Sequence, residues 1–214
     1  VYLSYLFLLI RIFNFFSSAF PHGQQKNGSI GYVNIKIHRL SPFEFNQLTP
    51  VFVDLYLQAM NYDASIRDSR IKAWRSDSQE HNFQAFCAHD DQHALGITYG
   101  FSGRPHQWWD KEVRRGLREH GGANFEQLTI LADYFSVAEI HVSPKLQGQG
   151  IGTQLLRAIL EHAPAPYALL STPEVANEDN HAFHLYHAFE FRDLLRNFYF
   201  RGDDRPFAVL YKKL

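Results

Sequence analysis

The sequence predicts a mixed α+β domain in which helices flank a central, mostly antiparallel twisted sheet of about seven strands. Two observations lead to this fold class. Short segments with alternating apolar and polar residues, typical of half-buried strands, are interspersed with longer segments whose apolar residues recur at helical spacing. In addition, a glycine-rich turn from Gly148 to Gly152 joins the end of one strand to the start of a helix.

The first predicted strand is Tyr32–Leu40, in which three apolar residues alternate with polar neighbours. A helix follows, because Ser41 and Glu44 have the spacing of a capping box, in which each side chain bonds the other residue's backbone N–H. We expect Pro50 to break or restart this helix, since proline lacks the N–H that a helix interior needs.

A second helix, Ile66–Ser76, precedes two strands, Phe83–Ala88 and Ala94–Phe101, which form a hairpin. The next connection, residues 102–133, is longer than an ordinary hairpin loop and is predicted as a helical insertion before the central strand. Within it, apolar residues at i, i+4 and i+8 predict a helix over Trp108–Glu119.

The second half of the chain supplies the central strand, Tyr134–Val142, which leads directly into the glycine turn. Patterns of apolar residues and breakers then predict two more helices and three more strands. The helices are Gly150–His162 and His181–Phe189, and the strands are Tyr167–Ser171, Phe191–Phe200 and Pro206–Lys212.

Composition excludes several classes of protein. With 214 residues, 45% of them hydrophobic and 20% charged, the chain is predicted to be globular rather than disordered. A net charge of -1 argues against a general nucleic-acid binder. The single cysteine, Cys87, excludes a disulfide framework and agrees with a cytoplasmic location. No metal is expected, because His181, His184 and His187 do not converge as three ligands would.

The N-terminal segment differs from the rest of the chain. Residues 1–20 are apolar and long enough to span a bilayer, but Arg11 and Asn14 interrupt them. A non-native start, a membrane anchor and a signal peptide all stay open, and membrane contact is expected only if the segment is a native anchor. The predicted division is a leader and linker at 1–29 and a domain at 30–214 that contains the insertion 102–133.

The glycine turn carries the clearest chemical signal. Its glycines leave no side chain between the backbone and a ligand, and the next helix offers free N–H groups and the positive end of its dipole. A site for a pyrophosphate or similar anion is therefore predicted. No lysine follows the last glycine, as a Walker loop requires, and a dinucleotide fingerprint would place glycine at Thr153. A plain strand–helix turn is the alternative.

Together with the preceding Val142-Ser143-Pro144, this turn resembles the acetyl-CoA signature Gln/Arg-x-x-Gly-x-Gly/Ala of the GCN5-related N-acetyltransferases, the GNAT superfamily. The resemblance covers roughly residues 33–214 and is most specific from Ser136 to Phe191. It implies a GNAT-like fold and acetyl-CoA as the acyl donor. It also implies that the pantetheine arm is bonded by Ile140, His141 and Val142, and the pyrophosphate by the turn residues Gln147, Gly148, Gln149, Gly150, Ile151, Gly152 and Thr153.

A second family pattern, Ala-x-x-Leu-Tyr-x-x-x-Gly-Phe, is matched by residues 182–191. Tyr186 falls on the tyrosine that often protonates the leaving thiolate beside the cofactor, and a core aromatic is the alternative. Two positions depart from the family. Glu190 replaces a glycine at a helix end that favours left-handed backbone, and Asp179, with Asn180 beside it, replaces a frequent asparagine.

The resemblance also implies a general base on the central strand. An amine acceptor arrives mostly as an ammonium ion, so a group must remove a proton before the amine can attack. Glu139 is the candidate for this role, and His141 is the second candidate because its pKa suits the role. The two-residue period of a strand places both on one face and Ile140 and Val142 on the other.

Trp108 and Trp109 lie in the insertion and are candidates for contact with the substrate. Adjacent tryptophans cannot both point inward from one helix face. One is expected to pack under the insertion while the other lines an acceptor pocket or an interface. Aromatic walls bind cationic amines well.

The resulting functional prediction is an N-acetyltransferase that transfers the acetyl group directly from acetyl-CoA to an amine. The domain has no large acidic excess to attract a polyamine or a basic peptide. Residues 171–174, Ser-Thr-Pro-Glu, also differ from the Glu-Val-Arg run of the ribosomal-protein alanine acetyltransferases. A small-molecule primary amine is therefore preferred over a protein amine. The alternative is a non-catalytic acetyl-CoA-binding or protein-interaction module on the same fold. A homodimer through the strands after Phe191 is a further expectation, made by analogy.

Overall fold

A computed structural model describes residues 34–90 and 92–214. The predicted leader, the linker and the start of the first predicted strand lie outside these residues. In chain order the elements are β1 (Lys36–Leu40), α1 (Pro42–Met60), α2 (Arg67–Asp77), β2 (Gln84–His89), β3 (Ala94–Ser102), α3 (Trp108–Glu119), α4 (Phe125–Ala132), β4 (Phe135–Val142), α5 (Ile151–Glu161), β5 (Tyr167–Pro173), α6 (His181–Ala188), β6 (Arg192–Phe198) and β7 (Phe207–Lys213).

The strands form one seven-stranded sheet in the order β1-β2-β3-β4-β5-β7-β6. Every neighbouring pair is antiparallel except β4 and β5, which are parallel. This confirms the predicted fold class. The pairing of β4 with β5 is short, because it joins Phe135 to Ala168 and Ser136 to Leu169 and extends no further along the described strands.

Helices cover both faces of the sheet and define its cores. Helices α5 and α6 pack on one face around a cluster that includes Phe135, Leu155 and Phe183. Helices α1 and α2 pack on the other face around Phe45 and Trp74. A third cluster lies beneath α3 and α4. Burial of apolar surface between these layers is the main stabilising contribution.

Helix α1 begins as predicted, with reciprocal hydrogen bonds between Ser41 and Glu44. The prediction that Pro50 breaks it was wrong, since the helix continues to Met60. Pro50 cannot donate to the carbonyl of Asn46 four residues earlier. The Arg75 side chain of α2 compensates, because its Nε donates to the Asn46 carbonyl at 3.2 Å.

The insertion before β4 contains the predicted helix α3 and a helix, α4, that the sequence analysis missed. The signal for α4 was present, because Asn124 and Gln127 form a capping box. A buried carboxylate fastens the insertion to the sheet. Asp110 accepts from Arg114 Nε at 2.6 Å and from the hydroxyl of Tyr134, next to β4, at 3.0 Å.

Glu190, after α6, occupies the left-handed conformation expected where the pattern matched by residues 182–191 has glycine, with φ of 61°. A side chain in this region costs about 1 kcal/mol or more. Its carboxylate lies 3.5 Å from Lys212 Nζ but is largely exposed, and an exposed ion pair stabilises a protein little.

We predict that Glu190→Gly raises the free energy of unfolding by roughly 0.5–1 kcal/mol, since relief of the strain exceeds the entropy that glycine adds to the unfolded chain. Thermal unfolding measures this as a rise in Tm of about 1–4 °C. The matched control is Arg157→Gly in right-handed helix α5, which should cost roughly 1 kcal/mol. Equal losses in both variants would contradict the prediction.

Candidate active site

A cavity of about 760 Å³ opens where β4 and β5 cease to pair. Residues 136–141 of β4 line one side and residues 170–173 of β5 line the other. Backbone groups of β4 beyond Ser136 have no strand partner on this side within the described chain. The separation of β4 from β5 therefore leaves a row of backbone donors and acceptors on β4 that face a cleft. An extended ligand can bind to this row as an added strand would.

A β-bulge in β4 determines which side chains enter the cavity. Tyr99 pairs with Glu139 and Gly100 pairs with Val137, so Ala138 is the extra residue. Before the bulge, Val137 packs on the α5–α6 face; after it, Ile140 does. An uninterrupted two-residue period would put Glu139 on the same face as Val137. The bulge instead turns Glu139 toward the α1–α2 face, as bulges near active sites often do.

Glu139 and His141 form a pair in this cavity, with Oε2 of Glu139 2.6 Å from Nε2 of His141. Both side chains are mostly buried. The His141 ring is held by aromatic contacts, edge-on to Tyr56 at 4.9 Å and stacked near Trp74 at 6.3 Å between centroids. The Thr98 hydroxyl donates to the Glu139 carbonyl at 2.9 Å and so fixes the strand at this point.

Tyr186 lines the same cavity from α6 and is 6% exposed. Burial raises its pKa, and the nearby Glu139 carboxylate raises it further. The phenol therefore keeps its proton and can act as a donor. Asn180 follows Asp179, which replaces the asparagine that the family often has. The Asn180 side chain caps α6, since it accepts a hydrogen bond from the Phe183 N–H at 2.8 Å.

The negative charge of Glu139 acts on several other ionisable groups of the cavity. The pKa values of Tyr56, Asp77 and Tyr99 are raised mainly by burial, and the charge of Glu139 raises them further. These three side chains come from α1, α2 and β3. The Glu139 carboxylate is therefore close enough to all three groups to disfavour their ionisation.

The glycine turn follows β4 and is shaped for close approach to a ligand. Gly148 and Gly150 are left-handed, with φ of 76° and 79°, and a Cβ on either would meet open space. Helix α5 begins at Ile151, and no side chain of the described residues caps it. The N–H groups of Ile151, Gly152 and Thr153 lie in its first turn, where helical donors lack intrahelical partners.

Other predicted turn residues support this geometry. Gln147 Nε2 donates to the Val142 carbonyl at 3.3 Å and closes the turn against the strand end, and Gln149 is exposed. Gly152 lies against α6, because a Cβ there would come 3.4 Å from a Leu185 methyl. The open glycine cradle, the uncapped helix start and the unpaired β4 edge fit the pyrophosphate and the amide-bearing arm of acetyl-CoA.

Both tryptophans of the insertion line the cavity. Trp109 is half-buried, and its Nε1 donates to the Ser171 hydroxyl of β5 at 3.1 Å. Trp108 is 56% exposed, with its ring 5.6 Å from that of Phe200. Helix α3 thus forms a wall on the β5 side.

Sequence reasoning missed a bridge on the other side of the cavity. Arg205, which precedes β7, lies over the ring of Tyr62, which follows α1, at 5.5 Å. Asp203 holds the guanidinium through bonds of 2.9 and 2.6 Å. Tyr62 in turn packs on Tyr56 at 5.3 Å. No short motif marks these residues, because the sheet and α1 bring them together from opposite ends of the domain.

The three histidines of α6 form no metal centre. His187 Nε2 lies 2.6 Å from a Glu178 carboxylate oxygen. Among residues 34–90 and 92–214, no three His, Cys, Asp or Glu side chains are grouped so that they could hold an ion. In the same residues, no helix has the length and apolar character needed to cross a membrane.

Comparison with known proteins agrees with the geometry of the cavity and the turn. The model of the acetyltransferase (GNAT) family matches residues 49–191, more than half of the chain. A GCN5-like protein acetyltransferase of Mycobacterium tuberculosis is 30% identical over 197 residues, which cover 82% of this chain and 96% of that protein.

Solved structures show the same fold. An N-acetyltransferase of Staphylococcus aureus superposes with a TM-score of 0.54 at 18% identity, over 84% of this chain and 98% of that one. A Salmonella typhimurium protein, solved with its cofactor acetyl-CoA, superposes with a TM-score of 0.54 at 14% identity, over 84% of this chain and 94% of that one.

The fold, the cleft and the glycine turn define an acyl-CoA-dependent transferase. The chain belongs to the acetyltransferase (GNAT) family, as the sequence analysis expected. It is an acetyltransferase, and acetyl-CoA is its acyl donor.

We predict that Gly150→Asp weakens acetyl-CoA binding by at least about 100-fold, because it puts a negative charge at the helix start where a pyrophosphate would bind. Titration calorimetry on the folded variant measures this. Gly121→Asp is the matched control, since Gly121 is also left-handed with open space around its Cβ but lies in the insertion. Equal affinities in the two variants would exclude the turn as the binding site.

Proposed function

We propose that this acetyltransferase acts on a small-molecule primary amine, with Glu139 as proton acceptor and Tyr186 as proton donor. The observation that carries the proposal is that one cavity holds both side chains next to the unpaired edge of β4. A reacting amine and an acyl donor laid along that edge would meet between them.

The acyl donor, when bound, supplies the acetyl group as a thioester. In this proposal the backbone of Ile140, His141 and Val142 bonds its amide-bearing arm, and the N–H groups of the turn from Gln147 to Thr153 bond its pyrophosphate. Strand β4 and the first turn of α5 fix most of these groups, so little conformational freedom is lost on binding.

Proton removal is assigned to Glu139, directly or through a water molecule. Its carboxylate is partly buried and faces the cavity, where an ammonium group would arrive. His141, at hydrogen-bond distance, either holds that carboxylate in place or accepts the proton itself. Both arrangements are general-base catalysis, and they differ in which side chain must be ionisable.

Tyr186 is assigned to protonation of the departing sulfur. Its raised pKa keeps the phenol protonated at neutral pH. A thiolate has a pKa of about 8.5 and leaves moderately well without help. The contribution of Tyr186 to the rate is therefore expected to be modest.

We predict that Glu139→Gln lowers kcat by about 10²–10⁴-fold, the usual contribution of general acid–base catalysis, while acetyl-CoA affinity is retained. Tyr186→Phe should lower kcat by about tenfold, since a thiolate leaves without full protonation. Steady-state assays of thiol release measure both.

His141→Gln separates the two candidate bases. If His141→Gln lowers kcat as much as Glu139→Gln does, the two side chains act together as the base. If it lowers kcat much less, Glu139 acts as the base without His141. Full activity of Glu139→Gln would contradict the assignment, and no activity of the wild type with any amine would contradict the proposed function.

The walls of the cavity support a small acceptor. Aromatic side chains, including Trp108, Trp109 and Tyr56, surround the space in front of Glu139, and aromatic faces attract cationic amines. The bridge from Arg205 to Tyr62 spans one side. An amine on a narrow chain fits this enclosure better than a folded protein surface does.

A protein amine is the second candidate, because the Mycobacterium tuberculosis relative is named a protein acetyltransferase. We predict that Arg205→Ala removes the bridge and raises kcat/KM for a lysine-containing peptide relative to a small alkylamine by roughly tenfold. Arg201→Ala is the control, since Arg201 lines the same cavity but is 75% exposed and faces Glu112. A wild-type preference for the peptide would favour the second candidate.

Two expectations remain part of the proposal. One is a homodimer through the strands after Phe191, for which β6, at the end of the sheet, is the candidate edge. The other is a cytoplasmic location. Light scattering at several protein concentrations tests the first, and imaging of the tagged native protein tests the second.

A further inference from the structure

Asp77 is a cavity side chain to which neither the family patterns nor the proposed mechanism gives a role. It ends α2 and lines the cavity. Its Oδ2 accepts from the Tyr99 hydroxyl at 2.9 Å. Tyr99 is fully buried and pairs directly with Glu139 across the β3–β4 ladder. Tyr99 therefore has Asp77 at its hydroxyl and Glu139 beside it on the neighbouring strand.

Each of the other carboxylates in the cavity has a basic side chain or a side-chain amide as its partner. Asp203 is paired with Arg205, Glu139 with His141, and Glu80 accepts from Gln107 at 2.9 Å. Asp77 is bonded by a neutral phenol. Helix α2, which Asp77 ends, also carries Arg70, whose guanidinium lies over the Tyr56 ring at 5.8 Å.

The charge of Asp77 is only partly compensated. Burial raises its pKa to about 6, and the charges of Glu139 and Glu80 add to this rise. The Tyr99 hydrogen bond and the charge of Arg70 act in the opposite direction without cancelling it. A cation that entered the cavity would relieve this repulsion, and the rings of Tyr56 and Tyr99 would add a cation–π attraction.

We propose that Asp77 is a specificity-determining residue that binds the ammonium group of the acceptor and selects cationic amines over uncharged ones. This inference rests on the proposed function, because it places the acceptor in the cavity. In this sequence of events Asp77 captures the cation, and Glu139 then receives its proton. The effect of Asp77 therefore falls on KM more than on kcat.

A quaternary ammonium ion tests cation binding separately from acetyl transfer, because it keeps its charge at every pH and cannot be acetylated. Butyltrimethylammonium should bind the protein–CoA complex about tenfold more weakly in Asp77→Asn than in the wild type, the loss expected for one partly buried charge pair. Asp68→Asn is the matched control, since Asp68 is also on α2 but 97% exposed. Equal affinities in wild type and both variants, measured by calorimetry, would overturn the proposal.

The pH dependence gives a second readout. Affinity for the probe should be full above the raised pKa of about 6 and should fall as the pH drops through it, because Asp77 becomes neutral. Glu139 and His141 are the same in both proteins, so Asp77→Asn should lose only the step that belongs to Asp77. The same step in both proteins would contradict the assignment.

A weakly basic acceptor separates this proposal from the proposed function. Trifluoroethylamine is mostly uncharged at neutral pH, so Asp77→Asn should leave its KM unchanged while raising that of ethylamine about tenfold. Equal rises for both amines would assign Asp77 a structural role. Binding of the probe without acetylation of any amine would refute the proposed function and leave cation capture by Asp77 standing.

Discussion

The site depends on the early separation of β4 from β5. Two parallel strands in the middle of a sheet would normally exchange backbone hydrogen bonds along their length, yet these strands do so only near Phe135 and Ser136. The unsatisfied edge of β4 would be costly in a closed core. It is tolerated because it faces a cleft, and in the proposed function the same edge binds the amide-bearing arm of the acyl donor.

Around that cleft, each wall is fixed by a different interaction. Buried Asp110 anchors the insertion that carries the tryptophans, the Arg205–Tyr62 contact spans the opposite side, and the Asn180 cap begins the helix that carries Tyr186. These interactions are made outside the reacting region. The cavity is therefore largely formed before any ligand binds, which lowers the entropic cost of positioning two substrates.

Much of this architecture could be predicted from sequence because its signals are local. The glycine turn, the Ser41–Glu44 box and the strand alternation each depend on residues within one or two turns of chain. The continuity of α1 could not be predicted, because the donor that replaces the missing Pro50 N–H belongs to Arg75 on another helix. Asp77 was missed for the same reason, since its relation to Glu139 passes through Tyr99 and the β3–β4 register.

The bulge at Ala138 has a consequence for how this site can change. Val137 and Glu139 are two residues apart, yet they point to opposite faces because the extra residue lies between them. In a regular strand without Ala138 the two would be neighbours and would again point to opposite faces. The bulge therefore lets β4 carry one more residue without reversing the proposed base, so the length of the strand and the direction of Glu139 are independent of each other.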